Sequence, residues 1–194
     1  MELITSDRML EVGRLIKEAI RAFENACNGP RGASAFQLIE ILYKYTDLIT
    51  ANFTHSCSKG CHYCCDVKVA VSMPEAEFIE IKTGHRITNR KKQKIGPKNK
   101  TTPCIFLKKG ECSIYEARPY VCRTFFSVDD VKLCIDGKPH NLVSLCPEGK
   151  GGFEYFNHWY QVIVIEQMVF PHKELRVCKD IRQYWPHLKP GTTK

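Results

Sequence analysis

The sequence predicts a mostly α-helical protein with a small, irregular α+β centre that is rich in cysteine, and three observations predict it. Apolar residues recur at three- and four-residue steps near both ends of the chain, as in helices that bury one face. The segment between them holds nine of the eleven cysteines but no long periodic run. Of the 194 residues, 43% are hydrophobic, which is enough to bury a core without covalent crosslinks.

Residues 1–54 are predicted to form a helical hairpin. Apolar positions recur from Val12 to Cys27, and Asn28-Gly29-Pro30 ends this first helix. Ser34 is a suitable N-cap for a second helix. Because the connection is short, the two helices should pack as an antiparallel pair. Cys27 lies on the apolar stripe and is expected in the core.

Residues 55–150 are predicted to form a cysteine-rich domain built from short elements. Residues 67–71 alternate between apolar and other side chains, which is typical of a short strand. Ser72-Met73-Pro74-Glu75 has the composition of a capping box and predicts a helix. The residues on either side of Lys108-Lys109-Gly110-Glu111 suit a β-hairpin, and Pro119 can open a further helical turn.

Residues 151–194 are predicted to form C-terminal helices around the same core. Their apolar positions follow helical spacing up to Pro171 and again up to Pro186, and Cys178 on the second stripe is expected in the core. The longest apolar run, Val162–Ile165, is far shorter than the roughly 20 residues of a membrane span, so no membrane association is expected. The first residues lack the features of a secretory signal, which predicts a cytoplasmic protein.

The abundance of cysteine favours metal or redox chemistry over structural disulfides in such a protein. Four thiols fall within nine residues, in Cys57-Ser-Lys-Gly-Cys61-His-Tyr-Cys64-Cys65. Thiolates bind Zn²⁺ and iron–sulfur clusters, and short loops let successive sulfurs converge on one metal. Gly60 would permit the tight turn that such a loop needs. The adjacent Cys64 and Cys65 project differently, so they either serve two metals or only one of them is a ligand.

A second group of cysteines is more widely spaced: Cys104, Cys112, Cys122 and Cys134. Cys104 and Cys112 would lie on the two arms of the predicted hairpin and can face one another. Cys122 would lie near a helix N-terminus, where backbone N–H groups stabilise a thiolate. Arg118 and Arg123 flank it. Guanidinium groups would suit the net negative charge of a four-thiolate centre, and a surface ion pair is the alternative for each arginine.

The order and spacing of these residues resemble a known family. The pattern is Cys57-x3-Cys61-x2-Cys64-Cys65, then Val69 and Glu75, then Cys104-Ile-Phe-Leu, then Gly110-Glu-Cys112-Ser-Ile-Tyr115-Glu-x-Arg118-Pro119-x-x-Cys122-Arg123-x-Phe125. Over residues 55–135 it resembles the CxxxCxxCC cysteine-cluster proteins, the YkgJ-type zinc- or iron-chelating domain proteins, which include flagellin lysine N-methylase. The resemblance implies zinc or an iron–sulfur cluster such as [4Fe–4S] as cofactor. It also implies a set of metal ligands: Cys57, Cys61, Cys64, Cys65, Cys104, Cys112, Cys122 and Cys134.

Two further ligands and two functional classes stay open. Cys146 and His62 could each join the metal site, whereas no spacing singles out the other histidines. The chain could be a non-catalytic chelating or adaptor module. It could instead be an iron–sulfur-dependent protein lysine N-methyltransferase, which would need S-adenosylmethionine. For that enzyme, residues beside the proposed ligands could line an approach to the cluster: Tyr63, Asp66, Tyr115 and Glu116.

Several absences in the sequence favour the non-catalytic module. The chain has no Gly-rich nucleotide loop after a strand and no acidic ribose-binding position. Cys57-x3-Cys61-x-Tyr63-Cys64 also matches the loop of radical S-adenosylmethionine enzymes, but a helical hairpin precedes it and no series of strands and helices follows. No hydrolytic Ser/His/Asp or Cys/His arrangement stands out either.

The net charge of +8 is concentrated in residues 82–109, which contain ten Lys or Arg and no Asp or Glu. Its densest part, residues 90–100, holds a Gly-Pro pair and lacks apolar periodicity, which predicts a mobile loop. Its charges could bind nucleic acid or an acidic protein surface. The segment has no aromatic residue before Phe106 to stack on bases, and charged loops are usually only solvated. Partner binding and a solvated insert therefore remain alternatives.

Overall fold

The computed structural model describes residues 4–30, 32–90, 102–138, 140–144 and 179–191. They divide between two compact units. The first unit takes residues from 4–56, 123–129 and 141–144, and the second takes them from 57–122, 130–140 and 179–191. The predicted boundaries at 54/55 and 150/151 stay a prediction.

The described elements are mostly helical, with short strands, which confirms the predicted fold class. In chain order they are α1 (Ser6–Cys27), α2 (Ala35–Thr50), β1 (Ala70–Val71), α3 (Met73–Thr83), β2 (Leu107–Lys108), β3 (Glu111–Cys112), a 3-10 turn (Tyr115–Ala117), α4 (Tyr120–Thr124), β4 (Phe125–Ser127), α5 (Val131–Ile135), β5 (Leu142–Ser144), β6 (Lys179–Asp180) and α6 (Ile181–Tyr184). None of these helices is both long enough and apolar enough to cross a membrane.

The helical hairpin dominates the first unit. Helices α1 and α2 pack on each other through buried apolar side chains. Ser34 caps α2 as predicted: its hydroxyl accepts from the Gln37 amide, and the Gln37 side chain accepts from the Ser34 amide. The main core residues of the pair are Val12, Leu15, Ile16, Ala19, Phe23, Ile39, Leu42, Tyr43 and Ile49.

Cys27 is not a core residue, and that prediction is wrong. The last buried side chain of α1 is Phe23, and Cys27 itself is exposed. Helix α1 ends at Cys27, so the final turn extends beyond the part of the helix that is buried. The spacing does form a helix, but spacing alone does not show where the surface that packs against this helix ends.

A two-stranded ladder completes the first unit. Strands β4 and β5 pair antiparallel, with Phe126 opposite Val143. Phe126 is buried, and its ring centroid lies 6.1 Å from that of Phe53 and 5.0 Å from that of His55. The Ser56 amide also donates to the Ser127 carbonyl, at 3.0 Å. These contacts join the chain after α2 to the segment that follows α4.

The second unit is built from two small ladders and helix α3. Strands β2 and β3 form the predicted hairpin, with Leu107 opposite Cys112. Its turn places both Lys109 (φ 48°) and Gly110 (φ 80°) in the left-handed region, as tight hairpins require. Strands β1 and β6 pair antiparallel, with Ala70 opposite Asp180. The predicted strand is therefore present but shorter than residues 67–71.

An aromatic cluster forms the core of this unit. Phe106 and Trp185 are fully buried, with an edge-to-face contact at 5.2 Å between ring centroids. The indole N–H of Trp185 donates to the His85 carbonyl at 2.9 Å, and the Tyr184 hydroxyl donates to the Val71 carbonyl at 3.0 Å. The C-terminal residues thereby belong to the core of the cysteine-bearing unit.

Some predictions lie outside the described residues. They concern Cys146, Cys178, residues 91–100 of the densest basic part, the helix predicted up to Pro171 and the start of the helix predicted up to Pro186. The described end of that second helix differs from the prediction, because Lys179–Asp180 is strand β6 and only Ile181–Tyr184 is helical.

Candidate metal centre

The first four cysteines of the family pattern lie on a series of tight turns. The amide of Cys61 donates to the Ser58 carbonyl at 3.0 Å, and that of Cys65 donates to the His62 carbonyl at 2.8 Å. Gly60 has φ +96°, a conformation that a side chain would strain, so it has the role that its position predicted. These turns keep Cys57, Cys61, Cys64 and Cys65 within a short arc of backbone.

Cys64 and Cys65 differ chemically, although they are adjacent. The Cys65 thiol donates a hydrogen bond to the Cys64 sulfur, and this bond lowers the pKa of Cys64 to about 7. The same bond, together with burial and the charges of neighbouring thiols, raises the pKa of Cys65. Once Cys64 is a thiolate, Cys65 retains its proton. This difference agrees with the expectation that the two cysteines have different roles.

Cys104 is attached directly to the turn that carries Cys65. Its amide donates to the Cys65 carbonyl at 2.9 Å, and its own carbonyl accepts from Leu107 at 3.0 Å. Burial raises the pKa of the Cys104 thiol, while a backbone hydrogen bond at Phe106 and the charge of Arg182 act in the opposite direction. Cys112 and Asp180 add to the increase. Cys104 precedes strand β2, and the register places Leu107 opposite Cys112, so the prediction that Cys104 and Cys112 face each other on the two arms is wrong. The Cys112 thiol still lies close enough to act on the ionisation of Cys104.

Cys122 lies on the short helix α4, where its amide donates to the Pro119 carbonyl at 2.9 Å. The pKa of its thiol is raised, first by the protein that surrounds it and then by Cys104, Cys64 and Cys112, although part of the residue is accessible to solvent. Only the charge of Arg118 is found to lower it. The expected stabilisation of a Cys122 thiolate at a helix N-terminus is therefore outweighed, first by desolvation of the thiol group and then by the neighbouring thiols.

Five thiols from four separate chain segments thus lie close enough to influence one another's ionisation: Cys64, Cys65, Cys104, Cys112 and Cys122. The nine cysteines in the described residues are in the thiol form. The donor set fits zinc or an iron–sulfur cluster, both of which take thiolate ligands. Within the described part of the chain, no three Cys, His, Asp or Glu side chains lie at the spacing of ligands around one ion.

Cys134 has a partner that the sequence analysis missed. Its Sγ lies 3.3 Å from Nε2 of His140, and Nδ1 of that ring lies 2.7 Å from the Lys138 carbonyl. A donor at Nδ1 leaves Nε2 as the acceptor for the thiol. The turn at Asp136-Gly137, with Gly137 at φ +62°, brings the two side chains together. That Asp-Gly pair was the available signal.

His62, an open candidate ligand, lies beside the hairpin. Its ring stacks on Tyr63 with centroids 4.6 Å apart, and Nδ1 is 3.5 Å from the Gly60 carbonyl. A Cβ added at Gly110 would come within 3.4 Å of this ring, so glycine there leaves room for the imidazole. Its role as a ligand stays a prediction.

The two arginines that flank Cys122 have different surroundings. Arg118 donates to the Tyr115 carbonyl at 3.1 Å and lies over the Tyr115 ring, 3.9 Å from its centroid. Arg123 is buried in the first unit, where it pairs with Asp47 and lies over the Tyr43 ring. The charge of Arg118 therefore acts on the Cys122 thiol, whereas Arg123 stabilises the first unit.

Glu75 connects two elements of the centre in a way that the capping box alone did not predict. Its Oε2 accepts from the amide and hydroxyl of Ser72, at 3.0 and 2.9 Å, which caps α3. Its Oε1 accepts from the Tyr120 amide at 2.9 Å, at the start of α4. Glu75 is buried, so these charge-assisted bonds hold the segment that carries Cys122 against α3.

The residues that could line a substrate's approach to the cluster in the enzymatic alternative lie at or near the surface. Tyr63, Asp66 and Glu116 are exposed, and the Glu116 carboxylate lies 3.5 Å from the Lys59 ammonium. Lys59 also lies over the Tyr115 ring, 5.3 Å from its centroid. Tyr115 and Glu116 therefore both contact Lys59, and Tyr115 also contacts Arg118.

Comparison with known proteins supports this account of the centre. The family model CxxCxxCC, described as "Putative zinc- or iron-chelating domain", matches residues 56–147. No curated protein and no solved structure matches the chain. The matched range contains all eight predicted ligands and the five thiols that influence one another. The resemblance is thereby confirmed over residues 56–147, which match the model of a zinc- or iron-chelating domain.

Proposed function

We propose that this protein is a cytoplasmic metal-binding module that holds zinc or an iron–sulfur cluster through its cysteine thiolates and has no catalysis of its own. One observation carries the proposal: thiols from four separate segments of a chelating-family domain lie close enough to shift one another's pKa. Each of these thiols raises the pKa of the next, so together they form a site that a bound cation would stabilise.

The protonation of these thiols determines how they would bind. Cys64, with its pKa lowered to about 7, is half ionised near neutral pH and is the natural first ligand. Cys65, Cys104 and Cys122 have raised pKa values and retain their protons in the metal-free chain. Metal binding must therefore release protons. The bound metal would supply the positive charge that compensates several thiolates at once.

The ligand set that we propose is the full group of eight: Cys57, Cys61, Cys64, Cys65, Cys104, Cys112, Cys122 and Cys134. Eight thiols exceed the four that one zinc ion or one [4Fe–4S] cluster takes, so they could serve two centres. Because Cys134 contacts His140, the two residues would bind the metal together, as a mixed Cys/His pair.

Metal analysis of the purified chain tests the proposal. Protein prepared without oxygen should contain tightly bound zinc or iron in elemental analysis. Broad absorption near about 400 nm would identify an iron–sulfur cluster, and a colourless, zinc-replete protein would identify zinc. A folded protein that binds neither metal when purified or on reconstitution would contradict the proposal.

The enzymatic alternative has its own test. If the chain is a lysine methyltransferase, the metal-loaded protein should bind S-adenosylmethionine and add methyl mass to lysine-rich proteins. Replacing Glu116 by Gln should then reduce transfer without loss of metal, because a surface carboxylate can orient an amine or take its proton. Loaded protein that neither binds the cofactor nor methylates supports the non-catalytic module.

A further inference from the structure

The C-terminal segment holds the chain where it leaves the cysteine turns. Strand β6 pairs with β1, and the Ile181 amide donates to the Val69 carbonyl at 2.9 Å. The carboxylate of Asp180 accepts from the Val69 amide at 3.2 Å. These residues lie outside the range matched by the family model, so the family pattern assigns them no role.

Arg182 extends this attachment to a cysteine itself. Its Nη2 donates to the Cys65 carbonyl at 3.1 Å, and both Nη atoms lie 3.3 Å from the Val67 carbonyl. Asp180 holds the guanidinium from the other side, at 3.1 Å from Nη1, and both side chains are largely buried. Because the Cys104 amide donates to the same Cys65 carbonyl, Arg182 lies beside the backbone of Cys104.

One donor of this guanidinium is unused. The Nε of Arg182 is buried and has no hydrogen-bond partner among the described residues. A buried donor without a partner is unfavourable, and more so when the group is charged. A thiolate would be a suitable acceptor for it, since sulfurs bound to metal commonly accept hydrogen bonds from groups behind the ligands.

From these contacts we infer that Arg182 is a positioning residue of the metal centre. Its Nη groups hold the Cys65 carbonyl in place, and with it the Cys104 amide that donates to the same oxygen, while its buried, unpaired Nε–H is left as a donor for a metal-bound thiolate. Arginine suits this role because it stays charged and has a rigid, forked set of donors, which lysine lacks. The inference rests on the proposed metal-binding function and assigns part of the centre to the C-terminal segment.

The test uses Arg182→Gln and Arg182→Lys in the full chain, with Arg14→Gln as the control. Arg14 is an exposed arginine that pairs with Glu11 and Glu18 in the first unit. Metal-loaded proteins are mixed with excess chelator, and the rate of metal release is followed. We expect both Arg182 variants to lose metal about tenfold faster than the parent, and the control to match the parent. If Arg182→Lys releases metal at the parental rate, the positive charge alone is sufficient. That result would overturn the claim that the centre needs the forked donors of a guanidinium.

A second measurement needs no metal. In metal-free protein that is folded by circular dichroism, hydrogen exchange at the Cys104 amide is compared between the parent and Arg182→Gln. This amide donates to the Cys65 carbonyl that Arg182 also holds, so it should exchange faster in Arg182→Gln, whereas the Ala51 amide in the first unit should keep the parental rate. An unchanged rate at Cys104 overturns the positioning role. If the parent binds no metal, the proposed function fails while this measurement still decides the role of Arg182.

Discussion

The helical hairpin and the cysteine-bearing unit are stabilised in different ways. Helices α1 and α2, of 22 and 16 residues, bury a continuous set of aliphatic and aromatic side chains. In the second unit, α3 has 11 residues, while the other described helices and strands have five or fewer. There, single polar contacts made by Glu75, Asp180 and Arg182 connect the segments. The hairpin should therefore tolerate loss of any thiol, whereas the second unit should depend on individual residues.

Loss of a metal ligand should have the largest effect. Replacing Cys122 or Cys61 by Ser should release most of the metal and loosen residues 57–134, because structural zinc sites contribute on the order of 10 kcal/mol to the folding of small domains. Metal content and protease sensitivity measure the two effects. Cys27→Ser is the matched control, since Cys27 is an exposed thiol in the hairpin. Equal metal loss in the control would contradict the division between ligands and other cysteines.

Removing a core side chain of the hairpin should lower the stability of the protein without loss of metal. Phe23 is fully buried, so Phe23→Ala should lower the free energy of unfolding by about 3–5 kcal/mol. Metal content per folded molecule should be unchanged. Leu10→Ala, on the same helix but 75% exposed, should change stability by less than about 0.5 kcal/mol. Denaturant titration gives both values, and metal loss in folded Phe23→Ala would show that the two regions are not separable.

Glu75→Gln should have an intermediate effect confined to the cysteine-bearing unit. An amide in place of this buried carboxylate weakens the bonds to Ser72 and Tyr120, at a cost of about 1–3 kcal/mol. Metal release to a chelator should become faster, because α4 carries Cys122. Glu77→Gln, on the exposed side of α3, is the control. If both variants behave alike, Glu75 does not support the centre.

The smallest effect is a difference in reactivity between two adjacent cysteines. In metal-free protein, alkylation of Cys64 should rise with pH and reach half its maximal rate near pH 7, because the hydrogen bond from Cys65 lowers the pKa of Cys64 to about 7. Cys65, whose pKa is raised, should react only at higher pH. Peptide mass spectrometry separates these rates. The reverse order would mean that the hydrogen bond runs from Cys64 to Cys65.

Local signals in the sequence were sufficient for much of the fold. The N-cap at Ser34, the capping box at Ser72 and the hairpin around Lys108-Lys109-Gly110-Glu111 form as predicted, because each depends only on neighbouring residues. Burial was harder to predict. Cys27 continues the apolar spacing of its helix but is exposed, since burial depends on where a partner surface ends. The pairing of β6 with β1 was not predicted, because the two strands lie more than a hundred residues apart in the chain.

The candidate site shows the same division. Cysteine spacing identified the centre, because the approach of several thiols is required by the chemistry of the metal. Contacts between distant segments could not be read from spacing: Glu75 with Tyr120, and Arg182 with Cys65. Arg123, which follows a proposed ligand directly, belongs instead to the first unit through Asp47. Adjacency along the chain did not indicate a shared environment.

X-ray absorption at the metal edge of the purified protein tests the central claim most directly. If thiolates from separate segments hold the metal, the nearest shell should consist of sulfur, at about 2.3 Å for zinc. In Cys122→Ser that shell should lose sulfur or disappear with the metal. A shell made only of oxygen and nitrogen, or a sulfur shell that is identical in Cys122→Ser, would contradict the assignment of these cysteines as ligands.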